Sequence, residues 1–113
     1  MTKEEMRKHL DSHFHASKKI LALEMEVEAL SSTSGKDAEV QRLTDEISCL
    51  REKQTAVRET IRSLNDDDLE SVLIMRYINY LTVEQTADAL NYARRTINEK
   101  IKKAIDKLCT SMP

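Results

Sequence analysis

The chain has 113 residues, a net charge of −2, and a single Gly and a single Pro, Gly35 and Pro113. Average chains carry about 7% Gly and 5% Pro, and tight hairpins, phosphate-cradling loops and dinucleotide fingerprints draw on those residues; such folds are excluded, and the composition is that of an all-α protein. The four aromatics, Phe14, Tyr77, Tyr80 and Tyr92, leave any core to Leu, Ile, Val, Ala and Met, which suits a narrow, elongated one.

Thr2-Lys3-Glu4-Glu5 has the spacing of a capping box and predicts a helix start. The stripe that follows sharpens to Ile20, Leu23, Val27 and Leu30, the alternating three- and four-residue steps of a helix that pairs with another helix. Extending that heptad backwards puts His9 and His13 on the seam beside Met6, Leu10 and Phe14, so this end is expected to pack more loosely. Residues 31–35, Ser-Ser-Thr-Ser-Gly, form a breaker of ordinary length for a helix–helix connection.

The clearest periodicity comes next. Val40, Leu43, Ile47, Leu50, Gln54, Val57, Ile61 and Leu64 step 3-4-3-4 without a slip, predicting a helix over about residues 36–64. Two helices of similar length joined by a short loop favour an antiparallel coiled-coil hairpin. Gln54 is the polar exception, either a residue that fixes register or one on a partly exposed seam. The seam leaves part of Val57, Ile61 and Leu64 uncovered unless a second chain or the next helix packs there; a second chain is the expectation, which makes the protein a homodimer through the coil.

Asn65-Asp66-Asp67-Asp68 can cap a following helix. From Leu69 to Tyr80 apolar residues surround almost the whole helix, which predicts burial on more than one side and a bridge between the hairpin (1–64) and a second domain (65–113). A second capping box, Thr82-Val83-Glu84-Gln85, opens a short helix to Leu90, Asn91-Tyr92 interrupts, and Ala93 to Leu108 forms the last helix with Ile97, Ile101, Ala104, Ile105 and Leu108 on one face. Small Ala87, turn residue Asn91 and branched Ile97 carry the spacing of a helix-turn-helix: close helix contact, a position of positive φ, and an apolar pin.

With Arg76-Tyr77-Ile78 ahead of Thr82-Val83-Glu84-Gln85-Thr86-Ala87, then residues 90–97 (Leu-Asn-Tyr-Ala-Arg-Arg-Thr-Ile) and Ala104 to Leu108, the C-terminal half resembles region four of bacterial sigma factors and, more closely, phage transcription regulators of the RinA/ArpU type. The hairpin resembles their coil-forming segment in kind. Asn91, Ala93 and Thr86 depart from the usual turn Gly, capping Ser and branched apolar residue. The resemblance implies a phage or prophage DNA-binding regulator of late genes.

On this reading Arg95 is expected to bond bidentately to guanine, Asn98 to adenine, and Glu99 to accept from cytosine, while Arg94, Lys102, Lys103 and the helix start at Thr82 hold phosphates. Arg94 to Lys107 carries six positive against two negative side chains, in a chain otherwise acidic. Charge runs alone usually mark a solvated helix face, so the expectation leans on the 87/91/97 spacing and its caps. Two alternatives remain: a phage DNA-packaging (small terminase-like) subunit, or an interaction protein that docks on RNA polymerase without reading DNA.

Other chemistry is poorly supplied. His9 and His13 form an i, i+4 pair near His15 without a further assured ligand, and the Asp66–Asp68 run lacks the spacing of a calcium loop, so no metal or other cofactor is expected. Cys49 and Cys109 sit far apart in helical patterns and read as reduced thiols. No nucleophile stands in a recognisable catalytic setting, so the protein is not expected to be an enzyme. No stretch longer than seven residues lacks a charge, which makes a soluble, cytoplasmic protein the expectation.

Overall fold

A computed structural model describes residues 1–111, and every regular element among them is helical. Helix α1 spans Lys3–Ser31, α2 Asp37–Arg62 and α3 Asp67–Leu73; a π-helical turn covers Ile74–Ile78, followed by α4 at Val83–Leu90 and α5 at Arg94–Ser111. The Glu5 amide donates to Thr2 Oγ1 and the Thr2 amide to Glu5 Oε1, both at 3.1 Å, which is the capping box expected for α1. At Gly35 the backbone takes φ +81°, a left-handed conformation that glycine adopts without a Cβ clash, and the chain turns back.

Helices α1 and α2 pair antiparallel. His9 Nε2 lies 2.9 Å from Thr60 Oγ1, Gln54 Nε2 donates to Ser17 Oγ at 2.7 Å and to the His13 carbonyl at 3.1 Å, and Arg51 meets Glu24 at 3.4 Å nearer the turn. Half-buried Gln54 is thus bonded across the hairpin, which ties it to register rather than to an exposed seam end.

The N-terminal part of α1, expected to pack loosely, is the most tightly covered: Met6 and Leu10 are fully buried, and His13 and Ala16 nearly so. The cover comes from later in the chain. One core gathers Met6 and Leu10 of α1, Val57, Ile61 and Leu64 around the end of α2, Leu69, Leu73 and Tyr77, and Ala104, Ile105 and Leu108 of α5. Residues 1–64 and 65–111 therefore close on a common interior, although sequence character changes between them. Val57, Ile61 and Leu64 are covered by their own chain, the second of the two options their exposure on the seam allowed. Burying each such Leu or Ile contributes about 1.5–3 kcal/mol. Farther out, the hairpin projects as an arm from a molecule of 55 × 33 × 21 Å, with Leu21 and Met25 more than 60% exposed.

The helix expected over 69–80 divides. Asp66 caps α3 by accepting from the Leu69 amide at 3.1 Å, but after Leu73 the hydrogen bonds lengthen their reach, the Asn79 amide donating to the Ile74 carbonyl at 2.9 Å. This wider turn leaves Ile74 exposed and turns Tyr77 into the core. Two residues past its end stands Tyr80, whose φ of +60° is left-handed. The segment still bridges: Val72 packs with Ala87 and Ile97, while Leu69, Leu73 and Tyr77 face the shared core.

Candidate nucleic-acid interface

The Thr82 hydroxyl accepts from the Gln85 amide at 3.1 Å and the Gln85 side chain accepts from the Thr82 amide at 2.9 Å, so α4 begins at the expected capping box. It stops at Asn91, which takes φ 59° and ψ 44°. Asn is one of the few side chains that tolerate this conformation, and the Tyr92 amide reaches back to the Ala87 carbonyl at 2.9 Å to close the cap. Ala87 and Ile97 are buried against Val72, with Val83, Leu90 and Ile101 around them. Thr86 fits its buried site because its hydroxyl donates to the Thr82 carbonyl at 2.9 Å, leaving the rest of the side chain to fill a branched apolar position.

With Ile97, Ala104, Ile105 and Leu108 turned inward, α5 shows a polar face to solvent. Arg94, Arg95, Asn98, Glu99 and Lys102 line one shallow open surface. Thr82 and Lys103 are exposed but lie outside that set, and the Thr82 hydroxyl is already occupied in its cap. Arg94 Nη1 lies 3.1 Å from Glu84 Oε1 of α4, and Arg95 Nε 3.1 Å from Glu99 Oε1 one turn along. The Arg95 side chain is 90% exposed, so its pair is worth only a few tenths of a kcal/mol and yields readily to a better acceptor. Asn98, Lys102 and Lys103 make no side-chain hydrogen bond or ion pair among the described residues.

Two participants are invisible to spacing arguments. Glu84 meets Arg94 only because the turn brings the start of α4 beside the start of α5. Lys100, on the same helix as the exposed cations, is turned away from them: its ammonium bonds Asp68 at the start of α3 and sits 4.9 Å over the Tyr92 ring, while the Tyr92 hydroxyl donates to Asp68 Oδ1 at 2.9 Å. The Lys100 bond holds the Asp68 carboxyl below its ordinary range, and the same bond raises the Lys100 ammonium. Of the acidic run, Asp66 is the cap and Asp68 a clamp that fixes the rotation of α5. Among the described residues no group of three or more His, Cys, Asp or Glu side chains could hold a metal ion, and no helix is long and apolar enough to cross a membrane.

Residues 34–109 match the model of a family described as a protein of unknown function, DUF1492, and the chain belongs to that family. The matched segment runs from the turn before α2 into the last turns of α5 and leaves out the whole of α1. No curated protein and no solved structure matches the chain.

Proposed function

We propose that the protein is a sequence-specific duplex DNA-binding regulator of transcription, of the phage or prophage kind that its resemblance to RinA/ArpU-type regulators implies, acting on late genes in the cytoplasm. The observation that carries the reading is the placement of α5. The buried Ala87–Ile97 contact and the left-handed Asn91 hold it so that Arg94, Arg95, Asn98, Glu99 and Lys102 stand together on one open face.

A helix presented in this way fits a major groove, where arginine reads guanine and asparagine reads adenine. Arg95 keeps its two terminal nitrogens available while Nε is engaged by Glu99, so Glu99 orients a reading arginine as well as being an acceptor itself. Arg94, Lys102 and Lys103 supply phosphate contacts, Arg94 by exchanging Glu84 for the backbone. Dimerisation through the arm belongs to the same proposal. Its surface is the outer stripe of Leu21 and Met25, because Val57, Ile61 and Leu64 are taken by the chain's own core.

Selection of bound sequences from a random duplex pool at moderate salt tests the reading. Enrichment of a motif that Arg95→Ala relaxes supports it. No enrichment, together with binding to isolated RNA polymerase, would replace it with an interaction protein docking on the polymerase.

A further inference from the structure

Three of the chain's four aromatic residues converge on one recess, which shares no residue with the exposed face of α5. Phe14 of α1, Tyr77 of the π-helical turn and Tyr80 line a cavity of about 210 Å³ together with Asp11 and Arg76. Elsewhere the interior is aliphatic, so the aromatics are concentrated where α1 crosses the turn. Phe14 and Tyr80 meet edge to face at 5.0 Å, yet both remain more than a third exposed, as the walls of an open recess are.

Its charges lack ion-pair partners among the described residues. The half-buried Arg76 guanidinium donates through Nη1 to the Leu81 carbonyl and stands 5.7 Å from the Tyr77 ring centroid, and it forms no ion pair among the described residues. Asp11 on the same wall has none either. Burial and then the Asp11 carboxylate push the Tyr77 hydroxyl above its ordinary value against the opposing charges of Arg76 and Arg7, so both signs of charge are felt inside the recess. The floor is unusual backbone, a π-helical turn followed by the left-handed Tyr80, and both features recur at functional sites.

We propose that this recess binds a small zwitterion with an apolar body, the chemistry of a free α-amino acid with a large side chain. Arg76 takes the carboxylate, Asp11 the ammonium, and the three rings take the body. The volume is below the ~300–1,000 Å³ of drug-sized sites, which suits a ligand of amino-acid size. An anion alone would meet repulsion from Asp11, and a cation alone repulsion from Arg76. Such a ligand would touch α1 and the turn that leads into α4, bracing the arm against the α4–α5 pair.

The test follows backbone amides of the full chain by two-dimensional nuclear magnetic resonance during titration with L-phenylalanine, phenylacetate or phenethylamine, none of which requires DNA. Saturable shifts at Asp11, Phe14 and Arg76 to Tyr80 are expected with L-phenylalanine in the millimolar range. Each singly charged analogue should bind roughly fivefold more weakly, the effect of one partly exposed ion pair. Asp11→Asn should bring L-phenylalanine down to the affinity of phenylacetate without weakening phenylacetate; Arg76→Gln should lose both. If Arg76→Gln disturbs the fold by releasing Leu81, the exposed Asp11→Asn variant carries the decision alone. Equal shifts from all three compounds, or no saturable shift up to roughly 20 mM, would overturn the proposal.

Discussion

Arg95 and Lys102 share the open face of α5 but are expected to fail differently. Arg95→Ala should cost about 1–3 kcal/mol on the preferred duplex and flatten the preference at one base pair. Lys102→Ala should weaken matched and scrambled duplexes alike and lower the salt slope by about one counterion. Titrations of both variants across a salt series separate the roles; equal loss on both duplexes for Arg95→Ala would remove it from base reading. At this scale the sequence was most legible where the constraint is local. Asn91 and the two capping boxes could be named because each acts within a few residues of itself. The Glu84–Arg94 pair and the Asp68–Lys100–Tyr92 clamp could not, because the partners are distant along the chain and any of the exposed charges could have filled their places.

Stripes and caps pointed to the five α-helices, although the one expected to run to Tyr80 stops at Leu73, but a stripe states where it runs and not what covers it. Leu10 and Leu21 belong to the same helix and are the same residue type, and their fates are opposite: one is fully buried, the other 62% exposed. Leu10→Ala is therefore expected to cost about 2–5 kcal/mol in urea unfolding, while Leu21→Ala, measured at concentrations where the chain is monomeric, should stay within about 0.5 kcal/mol. Comparable losses at both positions would contradict the shared core. The π-helical turn was equally hidden, since a run of apolar residues around a helix does not reveal one residue inserted into its turn. Its origin lies in tertiary demands: Tyr77 faces the core while Arg76 reaches the Leu81 carbonyl.

For the molecule as a unit, the joint between arm and α4–α5 pair should make stability depend on pH. His13 is buried where α1 meets Tyr80, its Nδ1 2.6 Å from the Tyr80 hydroxyl, and desolvation followed by the nearby Arg58 charge depresses its pKa. A depressed imidazole is neutral in the folded chain while the unfolded chain still takes up a proton. The stability it contributes is thus present above the ordinary His value of about 6.5 and is lost as pH falls through the lower folded value. Thermal unfolding from pH 7.5 down to 5 should show a falling midpoint that His13→Gln flattens; an unchanged slope in the variant would assign the effect to other groups. Light scattering bears on assembly: a dimer that Leu21→Glu with Met25→Glu converts to monomer fits two reading helices on inverted half-sites about one or two DNA turns apart. A wild-type monomer at high micromolar concentration would leave reading to a single α5.

Met6 and Leu10 pack against Ala104, Ile105 and Leu108, and this fixes an order of events during synthesis. The first helix leaves the ribosome roughly 100 residues ahead of α5, which at about 5–20 residues per second is a wait on the order of 5–20 s. Throughout that interval the strip of Met6 and Leu10 has at most α2 and the segment from Leu69 to Tyr77 against it and lacks the α5 side of its cover, which leaves apolar surface of the kind that chaperones hold and proteases sample. A nascent chain halted before Ile105 never acquires its lid, so a stalled or prematurely terminated product should be cleared rather than accumulate as a competitor with the arm intact.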